Sequence, residues 1–308
     1  MSEYAHNFPN VTEVGYGAFA NATFSGPVNL QSLTSLPNAI DCPERIEKGA
    51  DHVYGVFEGS NFENGNFSST IYIGSRAFYG CPIHNANAAF SKVQIIGEQA
   101  FAGASFIRNS DWPPETYDFS STISVGQSAF QDAGAYTITN RILLNMPNVQ
   151  TIGYRGFSGA YAYPGRYDNG EIIVDLPNCT FIGERGLQDE SATAGHTKGI
   201  SKAYLKSLTS LEYLVFRWTG ITELHVGPNC SIFKSACLYG TLADLSLYIY
   251  TNTVPTLEDY LDSGLPHGIP PHIYVRRSLV ESYKNNATWG YYSDAISALE
   301  DAPNPQDW

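Results

Sequence analysis

Apolar residues in this chain fall in runs of three to five, far short of the roughly 18 that a membrane helix needs. Runs such as Ile142-Leu143-Leu144 and Ile172-Ile173-Val174 are followed by Met146-Pro147-Asn148 and Leu176-Pro177-Asn178. Proline cannot donate to a ladder, and Pro-Asn favours a turn, so each run predicts a short strand ended by a turn. The apolar-Pro-Asn phrase also stands at Phe8-Pro9-Asn10 and Leu36-Pro37-Asn38, with Gly227-Pro228-Asn229 a relative. After the turn comes a second extended piece, such as Val149-Gln150-Thr151-Ile152.

A six-residue phrase closes that piece: apolar-Gly-x-x-(Ala/Gly)-(Phe/Leu). It reads Val14-Gly15-Tyr16-Gly17-Ala18-Phe19, and returns at 73–78, 96–101, 125–130 and 152–157 before fading at Ile182-Gly183-Glu184-Arg185-Gly186-Leu187. From Phe78 onward the sixth positions are 23, 29, 27 and 30 residues apart. Self-similarity at that period predicts stacked coils, each sheltering only its neighbours, in one elongated domain. Gly153 and its equivalents are expected to permit a tight bend, and the four residues after each glycine a short helical turn. The small residue lets coils approach. Phe19, Phe78, Phe101, Phe130 and Phe157 are expected to pile into an aromatic core column.

Composition narrows the function classes. Only 15% of the 308 residues are charged, and 17 Lys+Arg against 30 Asp+Glu give a net charge of −13. Beyond Arg276-Arg277 no basic cluster exists to displace phosphate counterions, so nucleic acid is set aside, as is docking on anionic lipid. Five cysteines, at 42, 81, 179, 230 and 237, form no complete disulfide framework and read as small buried hydrophobes; sequence leaves open whether Cys230 and Cys237 pair. The start, Met1-Ser2-Glu3-Tyr4-Ala5-His6, does not read as a signal peptide, so the chain is expected to be a fragment of a secreted protein or to leave its cell by another route, such as a virus particle.

The full phrases Phe8 to Phe19 (FPNVTEVGYGAF), Met146 to Phe157 (MPNVQTIGYRGF) and Leu176 to Leu187 (LPNCTFIGERGL) resemble the BspA-type leucine-rich repeat of bacterial surface proteins. Leu245–Tyr250 with Val254-Pro255-Thr256-Leu257 is similar to the last repeat of that family. Ile273 to Ile296 is similar to the closing cap of such proteins from gut microbes and their viruses, although Arg276-Arg277 depart from the usual Pro-Ala or Pro-Ser. The resemblance implies a mainly β, right-handed leucine-rich-repeat solenoid with short helical turns, curved and elongated. Its repeats would span 1–244, irregular at 41–66 and 186–220, with the last repeat and cap over 245–308. Tyr54-Gly55-Val56-Phe57 reads as a worn copy. The cap implies a short helix around Ser278 to Asn285. No N-terminal cap is evident, so the first coil is expected to stack on another partner or subunit.

Enzymatic chemistry finds little support. The seven histidines are scattered without His-Glu-x-x-His, and His267 and His272 lie in a proline-rich turn; no metal or cofactor is expected. No nucleophile elbow or phosphate loop occurs, and a glycosidase carboxylate pair cannot be read from spacing. Six Asn-x-Ser/Thr triplets, at Asn10, Asn21, Asn66, Asn178, Asn229 and Asn286, include three inside the repeat phrase, where turn chemistry explains them. The aromatic insertions are the better candidates. The segment between Phe101 and Phe130 carries Trp112 and Tyr117, and the one after Phe157 carries Tyr161, Tyr163 and Tyr167. Such rings, placed on edge loops, suit sugars and protein partners; alternatively they fold back over the coil edge. The expected function is therefore a non-enzymatic adhesion or recognition module for a host-cell protein or glycan, extracellular on a bacterial surface or as a virion or tail receptor-binding protein. The rivals are an assembly solenoid and a polysaccharide hydrolase.

Overall fold

The computed structural model describes residues 6–39, 54–61, 65–84, 90–107, 115–134, 142–160, 162–168, 171–189, 199–241, 245–262 and 272–308. It is mainly β, built of stacked coils in two compact units. One comprises Met1–Val149 with Arg155–Pro164, the other Gln150–Tyr154 with Gly165–Trp308. The division at 244/245 expected from the repeats lies inside the second unit, where strands Glu223–Val226 and Ser246–Ile249 pair in parallel across it.

Each coil of the first unit contributes a two-residue strand just before the repeat glycine. Ser35–Leu36, Tyr72–Ile73, Ile95–Ile96 and Ser124–Val125 pair in parallel register. One residue of each pair, Leu36, Ile73, Ile96 or Val125, points inward and is buried, as the period of two requires. A second set of strands follows elsewhere in the coil: His6–Asn7, Val28–Asn29 and Gly65–Asn66, and later Glu115–Asp118, Ile142–Asn145 and Ala162–Pro164. Asparagine side chains bridge the first of these. Asn29 Nδ2 donates to Asn7 Oδ1 at 2.8 Å, and Asn66 Nδ2 to Asn29 Oδ1 at 3.0 Å.

The six-residue phrase does not form a helix. Its backbone is a chain of tight turns, because the fourth position is left-handed: Gly17 (φ 61), Arg76 (58), Gln99 (54), Ser128 (51) and Arg155 (54). A left-handed residue cannot continue a right-handed helix. The bend sits there, two residues after the glycine expected to make it. The glycine serves close approach instead. A Cβ on Gly97 would stand 2.7 Å from the Ser75 nitrogen, and one on Gly126 2.8 Å from the Gly97 carbonyl carbon. What draws the coils so close is a regular set of bonds. The amides of Arg76, Phe78 and Gly80 donate to the carbonyls of Glu98, Ala100 and Ala102 at 2.9, 2.7 and 2.9 Å, and those of Gln99, Phe101 and Gly103 repeat the pattern one coil on.

That spacing fixes the core. Phe78, Phe101, Phe130 and Phe157 are buried and stacked, with centroids 5.0–5.1 Å apart and planes within 7°. Phe57, from the worn copy, joins Phe19 (5.1 Å) to Phe78 (5.3 Å), so the expected column exists with one more member. Phe19 is half-buried. A second column, Phe67, Phe90 and Phe119, stands edge-on to the first with interplanar angles of 76–90°. The edge-to-face arrangement sets ring edges, which are electropositive, against electron-rich faces.

In the second unit the strands lengthen. Arg166–Asp168 pairs antiparallel with Glu171–Asp175, followed in parallel by Ile200–Leu205, Glu223–Val226, Ser246–Ile249, His272–Val275 and Ile296–Ala298. Leu211, Phe233 and Leu257 fill the inner position of its short strands, and the sixth position of the phrase is held by buried Leu187, Phe216 and Leu238. The cap contains the expected short helix, at Val280–Lys284. Tyr283, Trp289 and Tyr292 are buried under it; Trp289 Nε1 donates to the Pro255 carbonyl at 2.8 Å, and the Tyr292 hydroxyl accepts from the Leu261 amide at 2.9 Å. Arg276 and Arg277 tie the cap together, Arg276 Nε to the Tyr250 carbonyl and Arg277 to Asp301.

Among the described cysteines, Cys81, Cys179, Cys230 and Cys237 are free and buried, so Cys230 and Cys237 are unpaired. Burial pushes the Cys81, Cys179 and Cys230 thiols up to about 12. Cys42 lies outside the described residues.

Chemical denaturation tests the role of coil spacing. Phe101→Ala should cost about 3–5 kcal/mol, and Gly97→Ala about 1–3 kcal/mol by overpacking. Gly15→Ala should cost less than either, because a Cβ there meets nothing within 4 Å. Equal losses for Gly97→Ala and Gly15→Ala would remove close approach as the reason for the glycine.

Candidate functional site on the long-strand sheet

Of the aromatic residues expected to bind, the structure places the rings of Tyr117 and Tyr163, and both are buried. Trp112 and Tyr161 lie outside the described residues, and Tyr167 is described only as part of the strand Arg166–Asp168. Tyr117 and Tyr163 are core residues, 0% and 2% exposed; the Tyr117 ring packs edge-on against Phe106 at 5.0 Å. Their strands pair with Ile142–Asn145 and turn these rings inward, which leaves no face for a surface ligand.

A different polar and aromatic cluster stands on the outer face of the second unit. Alternate residues of a strand share a face, so Lys202 and Tyr204, Glu223 and His225, Tyr248 and Tyr250, and His272 and Tyr274 line up on successive parallel strands. Tyr204, His225 and Tyr248 stack with centroids 4.8 and 4.1 Å apart, and Tyr274 continues the row at 4.9 Å. The tail at 302–308 crosses this face. Trp308 lies 4.8 Å from the Tyr250 ring, Asn304 Nδ2 donates to Glu223 Oε2 at 3.3 Å, and the Gln306 amide donates to the Tyr250 hydroxyl at 2.6 Å.

His225 is fully buried in this cluster. Its Nε2 meets Glu223 Oε1 at 2.9 Å and its Nδ1 meets the Tyr250 hydroxyl at 2.9 Å. A proton on Nε2 satisfies every partner: Nε2–H donates to the carboxylate, and Nδ1 accepts from the hydroxyl that in turn accepts from Gln306. The Tyr204 hydroxyl also donates to Glu223 Oε1, at 2.9 Å. Burial alone would raise the Glu223 carboxyl, but the bonds from His225 and Tyr204 and the nearby charges outweigh it and hold the group below the ordinary range. Burial also pushes the Tyr248 and Tyr250 hydroxyls up to about 12, so both stay neutral donors. Glu223, His225 and the Tyr250 hydroxyl are thus engaged with Tyr204, with one another and with the tail, which makes this part of the cluster a rigid support.

Beside it opens a cavity of about 300 Å³, lined by Arg166, Asp175, Pro177, Tyr204, Lys206, Gln306 and Trp308. It joins two aromatic surfaces to two cations and one carboxylate. Strands fix Arg166, Asp175 and Tyr204, and the tail supplies Gln306 and Trp308. Only Asp175 offers a carboxylate, since Glu223 is bonded to Tyr204, His225 and Asn304. Among the described residues no group of three or more His, Cys, Asp or Glu could hold a metal ion, and no helix is long and apolar enough to cross a membrane.

Reading the histidines singly concealed this site, and His272, placed by sequence in a proline-rich turn, opens a strand. The available sign was the period of two: Lys-x-Tyr, Glu-x-His and Tyr-x-Tyr at successive repeats put those residues on one face.

Glu223 gives the site a pH signature. Its lowered folded value contributes stability that is complete above the unfolded glutamate value of about 4.3 and lost as pH falls through the folded one. Glu223→Gln should therefore flatten the loss of thermal stability below about pH 4.3. Identical acid profiles for the two proteins would show that the carboxylate is not held by this network.

Residues 53–162 match, in six copies, the model of the BspA type leucine rich repeat region. No curated protein matches the chain. The match ends at residue 162, ahead of the faded phrase at Gly186-Leu187, although paired short strands continue beyond it. Residues 53–162 are thus BspA-type leucine-rich repeats.

Proposed function

We propose that the protein is a non-enzymatic recognition module, displayed on a cell or virus particle, that binds a polar surface molecule in the cavity between Tyr204 and Trp308. The leucine-rich repeat supports an interaction module, as stacked coils present a broad outer surface on a rigid frame. The observation that carries the reading is the cavity, with flat rings on two sides and Arg166, Asp175 and Lys206 around them. A sugar ring matches that combination, with its apolar face on an aromatic ring and its hydroxyls on charged and amide groups. A protein loop presenting a polar side chain is the other ligand of the same chemistry. Hydrolysis gains no support here, because general acid and base need two free carboxylates and Glu223 is already engaged.

A glycan and protein array with the intact chain is the direct test. Trp308→Ala should weaken any binding found by at least about tenfold, near 1.4 kcal/mol, while Tyr204→Phe should weaken it less because the ring remains. Binding that survives Trp308→Ala unchanged would displace the site. An array without any ligand, combined with concentration-dependent association by light scattering, would favour the assembly role.

A further inference from the structure

A second cavity of about 360 Å³ opens on the turn edge of the second unit, lined among others by Arg185, Tyr213, Arg217, Tyr239 and Asp259. We propose that it is a distinct site for a sugar carrying a single carboxylate, such as a sialic or uronic acid residue. It arises from the left-handed positions of the turns. The fourth position is filled in successive coils by Arg185 (φ 59), Leu214 (φ 56) and Ala236 (φ 53). The side chain shortens along that row, from Arg185 to Leu214 to Ala236, and all three line the cavity.

Four residues further on, all of these turns but that of Arg185 have a second left-handed position. Asn21, Gly80, Gly103, Asp132, Gly159 and Gly240 occupy it, all residues that tolerate such a backbone. In one coil it holds Trp218, at φ 56. A bulky residue there is an outlier that its neighbours must support. Gly240 in the next coil does so: a Cβ on it would lie 2.6 Å from Trp218 Cδ1. The indole in turn carries a cation. The Arg217 guanidinium stacks over the Trp218 ring at 3.5 Å and lies 5.6 Å from the Tyr239 centroid.

Among the described residues Arg217 makes no ion pair, and neither does Asp259. Stacking occupies the face of a guanidinium and leaves its N–H edge for a planar, bidentate acceptor. A carboxylate has that shape. Arg185 adds a second cation; its Nε is buried without a hydrogen bond, 3.4 Å from Glu184. Tyr213, 42% exposed, offers a ring face, and the exposed Asp259 accepts hydroxyl protons. Asp259 and the net charge of −13 oppose ligands carrying several negative charges, which favours a monoanionic sugar over a sulfated polymer or an acidic peptide.

The site is independent of the sheet-face cavity, so the two can fail separately. Calorimetric or NMR titration of the intact protein with N-acetylneuraminate and glucuronate should show binding that weakens with salt. Glucose and the methyl ester of glucuronate should bind at least tenfold more weakly. Arg217→Ala should abolish acid-sugar binding and Arg217→Lys reduce it at least tenfold, while Trp308→Ala leaves it unchanged. Native circular dichroism would confirm that each variant is folded; should Arg217→Ala fail to fold, Arg185→Ala must still weaken the acid sugars by several-fold. Equal affinity for glucuronate and its ester, undiminished binding in a folded Arg217→Ala protein, or equally tight binding of an acetylated Glu-rich peptide would each overturn the proposal.

Discussion

The separation between neighbouring coils, near 5 Å, governs everything else in this protein. It is set by backbone bonds such as Phe78 N–H to the Ala100 carbonyl, which recur at alternate residues of each turn. Once the backbones stand that close, a Cβ at Gly97 or Gly126 has no room, and the glycine is compulsory. The same distance is a comfortable spacing for parallel rings, so one phenylalanine per coil produces a continuous stack instead of a series of separate contacts. Glycine, small residue and ring in the repeat phrase therefore answer to a single length.

The long-strand sheet applies that length to its outer face. Tyr204, His225 and Tyr248 stack there much as the phenylalanines do inside, but their polar atoms need partners. Glu223, Tyr250 and the tail supply them, and the ring of hydrogen bonds turns a row that would otherwise be wet into a buried support. The cavity beside it inherits that rigidity. Strand residues position its charges, and the tail, held by Asn304 and Gln306, positions Trp308.

Much of the fold was legible in the sequence because the repeat phrase combines restrictive residues. The column of Phe19, Phe78, Phe101, Phe130 and Phe157 follows from it, as does the worn copy ending in Phe57, while the cap helix follows from the resemblance of Ile273 to Ile296 to the closing cap. The second column was not read, since Phe67, Phe90 and Phe119 belong to no recurring glycine phrase. The left-handed fourth position was also hidden: Arg76, Gln99 and Ser128 share no side-chain property, and their backbone is dictated by the bonds around them. Tyr117 and Tyr163 misled because composition identifies an aromatic residue without saying which way its strand turns it. The outer cluster required register, which places Glu223 and His225 beside residues some twenty positions away.

The left-handed fourth position has a wider meaning. Its conformation is imposed from outside, by amides and carbonyls of the adjoining turns, and it accepts glycine, arginine, glutamine, serine, leucine and alanine alike. Residues that determine architecture and residues that face the surroundings are thus separate sets along each winding. Point changes on that rim can diversify what the molecule touches while its framework stays put, a division of labour that lets a repeat protein acquire new specificities by single substitutions.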